Sequence, residues 1–321
     1  MRLALFVLLA LTADYAPRRL NPLIDLLAAG KPVFGLYAPS ARRGGAPATN
    51  TSEPSPSPAQ LAGMAVAHTP TDFIFDGSME EDFDTAFPVF AEFAKGVAAA
   101  GTLEPGQPPR LHHPLVVKTH EIAPEPRLAA DRIARQLNLG VSTIVFVGVE
   151  SADEVRTGLA AMRFASHGGT RPETVGDAPA FWGLSADEYK KRADVWPLNP
   201  NGELLNWTIV ESREGLAHVR EIAAVKGIGV LFPGAGTLRG VFTSTNASGQ
   251  RLFDEQGWEA AIQQVLSACK EFHVPCGYPA RESDIEMRMK QGFSVFVIGW
   301  GDAGFRTIDL GRRLSHRDGE S

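Results

Sequence analysis

The stretch Glu203–Leu238, ELLNWTIVESREGLAHVREIAAVKGIGVLFPGAGTL, decides how the rest of the chain is read. It holds two short β-rich runs, Leu205–Val210 and Gly229–Phe232. Between them Leu216, Val219 and Ile222 recur at helical spacing, and Gly227 supplies the stop. A strand–helix–strand crossover of this kind joins parallel strands. Glu211 falls immediately after the first strand, and the glycine-rich turn Gly234–Gly236 immediately after the second. In a closed parallel barrel both open onto the C-terminal face of the sheet, where active sites form. A carboxylate there, beside backbone N–H groups, suits a divalent cation and an anionic substrate.

The same rhythm extends in both directions. Upstream, Lys31–Tyr37, Asp72–Asp76, His113–Lys118 and Val141–Val149 are predicted strands; downstream, Val274–Tyr278 and Ser294–Ile298 follow. Val141–Val149 is almost continuously apolar, as a strand buried on both faces should be. Ser151 with Glu154 makes a capping box for the helix after it. Nearly every strand is followed by a helix, which gives about eight units and a TIM (β/α)8 barrel over residues 20–316. Residues 164–200 break the rhythm with Gly, Pro and aromatic residues. They are expected to be an insertion after the fourth βα unit that crosses the barrel mouth; residues 317–321 form a tail. An open doubly wound sheet would carry a Gly-rich fingerprint after its first strand, and Tyr37-Ala38-Pro39-Ser40 is not one.

Composition narrows the partners. A net charge of −6 over 321 residues, without a basic stripe, disfavours nucleic acid, whose phosphates need clustered Lys and Arg. Cys269 and Cys276 cannot make a disulfide framework and are expected to be buried free thiols, with a single bridge in an oxidising compartment as the alternative. Met1-Arg2 precedes the apolar run Leu3–Leu11, too short for a membrane span and suited to a secretory signal over residues 1–16. Export is therefore expected, with a cytoplasmic chain whose first segment packs under the barrel as the alternative. Residues 39–58, dense in Pro, Ser, Ala and Gly, read as a loop, and Asn50-Thr51-Ser52 matches a glycosylation acceptor.

Three segments invite a family comparison: NPLIDLLAAGKPVFGLY, LGVSTIVFVGVESADEVRTGLAAMRF and IVESREGLAHVREIAAVKGIGVLFPGAGTL. From about Asn21 to Leu314 the chain resembles the HpcH/HpaI aldolase and citrate lyase family, the class II pyruvate aldolases. The resemblance implies a TIM barrel that binds pyruvate or another 2-oxo acid through Mg²⁺, Mn²⁺ or Co²⁺. The metal stabilises the enolate formed as a carbon–carbon bond is made or broken. It also implies a homo-oligomer, a trimer or hexamer that exchanges C-terminal helices.

Residue by residue the match is partial. Glu211-Ser212-Arg213-Glu214-Gly215-Leu216 reproduces the run that begins with the family's first metal-binding carboxylate. The second carboxylate, an Asp in a Gly-Pro-Gly/Ala-Asp-Leu loop, is replaced by Thr237 in Gly234-Ala235-Gly236-Thr237-Leu238. A neutral hydroxyl is a poorer partner for a hard dication. Lys118 stands where the family has an Arg for the substrate, keeping the charge without the bidentate fork. Asp76 survives from the family's Asp-x-Glu-His, but Asp76-Gly77-Ser78-Met79 lacks the Glu and the His. His120 lies two residues beyond Lys118 and is the candidate substitute acid–base group.

Each candidate has a plainer alternative. Glu211 could pair with Lys118, Lys118 with Glu211 or Asp76, and His120 could be an exposed loop residue. Glu80-Glu81-Asp82 is expected to cap the following helix, and His112 and His113 to sit at the wrong end of the barrel. Trp182, Trp196 and Trp300 suit either a pocket for a bulky substrate or packing under the insertion. The function expected is thus a metal-assisted carbon–carbon lyase. The alternative is a catalytically silent barrel that binds a small carboxylate or serves as an oligomeric scaffold.

Overall fold

The structure is a computed structural model that describes residues 18–40, 55–317 and 319. The expected signal segment, the glycosylation motif and most of the loop after the first strand lie outside these residues.

Eight short strands form a curled parallel sheet in chain order: Val33–Tyr37, Phe73–Asp76, Leu115–Lys118, Thr143–Phe146, Leu204–Val210, Val230–Pro233, Gly277–Ala280 and Val295–Ile298. The first strand pairs with both the second and the eighth, and each strand from the second to the fifth pairs with the next. The seventh pairs with the eighth. Between the sixth and seventh the contact narrows to one parallel bridge, Leu231 with Cys276, where the Leu231 N–H donates to the Pro275 carbonyl at 3.0 Å. This α/β arrangement is consistent with the barrel expected from the sequence.

Alternation along the strands sorts the core into two. Inward positions carry Phe73, Phe75, Val116, Val145, Leu205, Trp207, Ile209, Val230, Phe232, Val295 and Val297. Trp207 fills the centre, edge-on to Phe73 at 5.1 Å and stacked with Phe232 at 6.3 Å. Neighbouring strands make room with glycine: a Cβ on Gly35 would lie 2.1 Å from the Phe73 ring, and one on Gly277 1.9 Å from Phe232. Leu23, Ile24 and Leu27 of the helix Pro22–Ala28 join this inner core, closing it from below. Outward positions meet the helices; all seven residues of the fifth strand are buried, with the polar Asn206 and Thr208 held by hydrogen bonds.

Three expectations are corrected. Residues 164–200 do not cross the mouth. Trp182 Nε1 donates to the Gly140 carbonyl at 2.8 Å and the Tyr189 hydroxyl to that of Leu137 at 3.3 Å, so this segment packs at the N-terminal ends of the strands. Its aromatic residues bury themselves against the turn that enters the fourth strand. Cys269 and Cys276 are not free thiols; they are joined in a disulfide, with Cα atoms 5.7 Å apart. The crossover after the fifth strand is not one helix but two short ones, Arg213–Ala217 and Val219–Ala223.

Candidate active site

The C-terminal ends of the strands surround a cleft of about 990 Å³. The period of two along the fifth strand brings Trp207, Ile209 and Glu211 to its lining in succession. Glu211 is 8% exposed, and its Oε1 accepts the Gly148 N–H at 2.9 Å. Gly234 presses against its other side: a Cβ there would lie 2.4 Å from Glu211 Cβ and 2.5 Å from Oε2. The backbone of Gly234, at φ −70°, is open to any residue, so glycine is required here for space.

Lys118 reaches the same cleft from the end of the third strand. Its partner is neither Glu211 nor Asp76. Lys118 Nζ donates to Glu80 Oε2 at 2.6 Å. The acidic run therefore divides its work: Asp82 caps the helix Phe83–Ala99 through the Thr85 N–H, while Glu80 pairs with Lys118. The Glu80 carbonyl also accepts His120 Nδ1–H at 2.9 Å, so Lys118 and His120 converge on one residue. Asp76 accepts the Ser78 amide at 2.8 Å and its hydroxyl, fixing the turn after the second strand. Neither Asp76 nor His120 is among the residues lining the cleft.

The Gly234–Gly236 segment, read from sequence as a loop, turns at once into the helix Ala235–Val241. Gly234, Ala235, Gly236 and Thr237 all line the cleft, with Thr237 exposed in the first helical turn. Among the described residues no group of three or more His, Cys, Asp or Glu is placed to hold a metal ion.

Of the opposite wall, sequence reasoning named Trp300 and missed the rest. Trp258, Tyr278 and Trp300 line the cleft there with Arg239, Arg281 and Arg288, whereas Trp182 and Trp196 do not. Arg288, only 3% exposed, donates through both Nη atoms to Glu259 at 2.6 and 2.7 Å and through Nη2 to the Tyr278 hydroxyl at 3.1 Å. The Arg288 guanidinium holds the Glu259 carboxyl below its ordinary range, while burial raises the Tyr278 phenol. The signal was obscured by strand register. The sequence places the seventh strand over Val274–Tyr278; its actual span, Gly277–Ala280, puts Arg281–Asp284 at the mouth.

Comparison with known proteins agrees with this architecture. The family model described as HpcH/HpaI aldolase/citrate lyase matches residues 113–295. A hydroxypyruvate/pyruvate aldolase of Sagittula stellata is 28% identical over 185 residues, 57% of this chain and 68% of that protein. An HpcH/HpaI aldolase/citrate lyase family protein from Burkholderia cenocepacia J2315 superposes with a TM-score of 0.64 at 22% identity, over 92% of this chain and 98% of that one. A citrate lyase beta subunit from M. tuberculosis, solved with oxaloacetate and magnesium, superposes at 0.51 and 15% identity, over 90% and 99% of the two chains. The chain belongs to the HpcH/HpaI aldolase/citrate lyase family.

Proposed function

We propose that the cleft is the centre of an aldol-type carbon–carbon lyase acting on a 2-oxo acid, at the mouth of a closed (β/α)8 barrel. The observation that carries this reading is Glu211. It begins the run ESREGL, faces inward from the end of the fifth strand, and borders open space that Lys118 also borders. In the cleavage direction the 4-hydroxyl of a 4-hydroxy-2-oxo acid loses its proton and becomes the aldehyde carbonyl. The C3–C4 bond breaks, its electron pair passes to the 2-oxo group as an enolate, and C3 is then protonated. Synthesis runs the same steps in reverse. Lys118 faces the oxygens that carry this charge and lowers their energy electrostatically. Glu80 holds Lys118 in place through its carboxylate, while its carbonyl anchors His120 outside the cleft lining.

The donor set fits a magnesium-type cation held by one carboxylate, with substrate oxygens and water completing the shell, and does not fit an all-protein cage. Glu211 would hold it. Bound there, the cation supplies Lewis acidity toward the 2-oxo group. The relative bound to oxaloacetate and magnesium supports that pairing. Thr237, in place of a second carboxylate, favours a second reading, a barrel that binds 2-oxo acids without turning them over. Glu211→Gln separates the outcomes. Calorimetry with Mn²⁺ and an aldol-cleavage assay should both lose their signal in the variant. Full activity in Glu211→Gln refutes the proposal, and a wild type that binds pyruvate without turnover supports the silent barrel.

A further inference from the structure

The cleft is too large and too aromatic for a 2-oxo acid alone. At about 990 Å³ it stands at the upper end of the ~300–1,000 Å³ range of pockets that enclose drug-sized ligands. Phe75, Trp207 and Phe232 of the inner core line its floor, and above them the two sides differ. The third and fifth strands contribute Lys118 and Glu211, while the sixth to eighth units contribute Trp258, Tyr278 and Trp300. We infer that this second side is the half-site for the carbonyl partner, and that the partner is a ring-bearing, aromatic aldehyde. The inference rests on the reading of the Lys118–Glu211 side as the 2-oxo acid half-site.

The rings are fixed, and the polar ends of two of them are already occupied. Trp258 Nε1 donates to the Ala235 carbonyl at 2.9 Å, and the Tyr278 hydroxyl accepts from Arg288. Trp258 stands edge-on to Phe253 at 6.0 Å and Trp300 edge-on to Phe305 at 5.1 Å. Arg288 lies 4.4 Å from the Tyr278 ring centroid and is tied to Glu259, so this wall is braced from behind. Tyr278 is buried and braces the wall, so the part-exposed Trp258 and Trp300 present the ring surface for a guest. Fixed aromatic surface favours a flat ring over a flexible chain, since both partners lose little conformational freedom on contact. Charge does not redirect the choice toward an anion. The lining of this side holds Arg239, Arg281 and Arg288 against Glu255, Glu282 and Asp284, three of each sign.

The test compares benzaldehyde with butanal, and pyruvate separately, by NMR saturation-transfer titration of the wild type, Trp300→Leu and Trp258→Leu. Benzaldehyde should bind the wild type about tenfold more tightly than butanal, and each variant should lose most of that preference. Pyruvate affinity should stay the same in both variants. Equal binding of the two aldehydes to the wild type overturns the inference, as does an undiminished preference in both folded variants. If pyruvate fails to bind the wild type while the ring preference holds, the lyase reading falls and the aromatic half-site stands.

Discussion

Gly234→Ala tests the geometry of the site most directly. The added Cβ would lie 2.4 Å from Glu211 Cβ, 2.5 Å from Oε2 and 3.0 Å from Ile209 Cγ2. The first two distances are shorter than any ordinary carbon contact, so the Glu211 side chain must move. Overpacking of this kind costs ~1–3 kcal/mol. The stiffer unfolded chain returns ~0.4–1 kcal/mol, leaving a net loss on the order of 1–2 kcal/mol in stability. Moving the carboxylate also strains its bond from the Gly148 N–H, a charge-assisted contact worth ~1.5–3 kcal/mol. Affinity for Mn²⁺ and pyruvate should therefore fall at least about tenfold, equivalent to ~1.4 kcal/mol. The assay pairs calorimetric titration of both ligands with urea unfolding. Gly240→Ala is the control, in the same helix, where a Cβ would meet nothing within 4 Å. It should gain up to about 1 kcal/mol of stability and leave both affinities alone. Wild-type affinities in Gly234→Ala would refute the placement of Glu211 against that glycine.

Other expectations follow from the same geometry. Thr237→Asp should tighten Mn²⁺ binding by at least about tenfold, because a second carboxylate joins Glu211; unchanged affinity in calorimetry would show that position 237 does not face the cation. Lys118→Ala and Glu80→Gln should move pyruvate affinity in opposite directions, weaker and tighter, since Glu80 competes for the Lys118 charge. Shifts in the same direction would mean that Lys118 does not face the substrate. His113 is fully buried, its Nε2–H donates to the Val66 carbonyl at 3.1 Å, and burial lowers its pKa to about 4. Its folded pKa lies below the unfolded value, so its contribution is complete above about pH 6.5. That contribution is lost as pH falls toward 4, amounting to roughly 3 kcal/mol. Urea midpoints of the wild type and His113→Leu should converge over that window, and parallel pH profiles would exclude the effect.

The sequence by itself determined the repeating unit and the two charged positions at strand ends. Periods of two and of 3.6 are local, so Val141–Val149, the Ser151 cap and the alternation through Trp207, Ile209 and Glu211 could be read without knowing what they touch. The same locality fixed Glu211 and Lys118 at the mouth, because the end of a parallel strand has one destination. What the chain places together over long separations was decided only by tertiary structure. Lys118 meets Glu80, 38 residues away, and Arg288 meets Glu259, 29 residues away. No spacing rule favours those partners over Glu211, Asp76 or solvent. The aromatic wall had the same origin, since Trp258, Tyr278 and Trp300 come from three different elements that meet only when the sheet curls. The side of the sheet on which residues 164–200 pack was equally illegible. Apolar side chains announce that a segment will be buried, whereas the choice of end depends on which surface the folded strands leave uncovered.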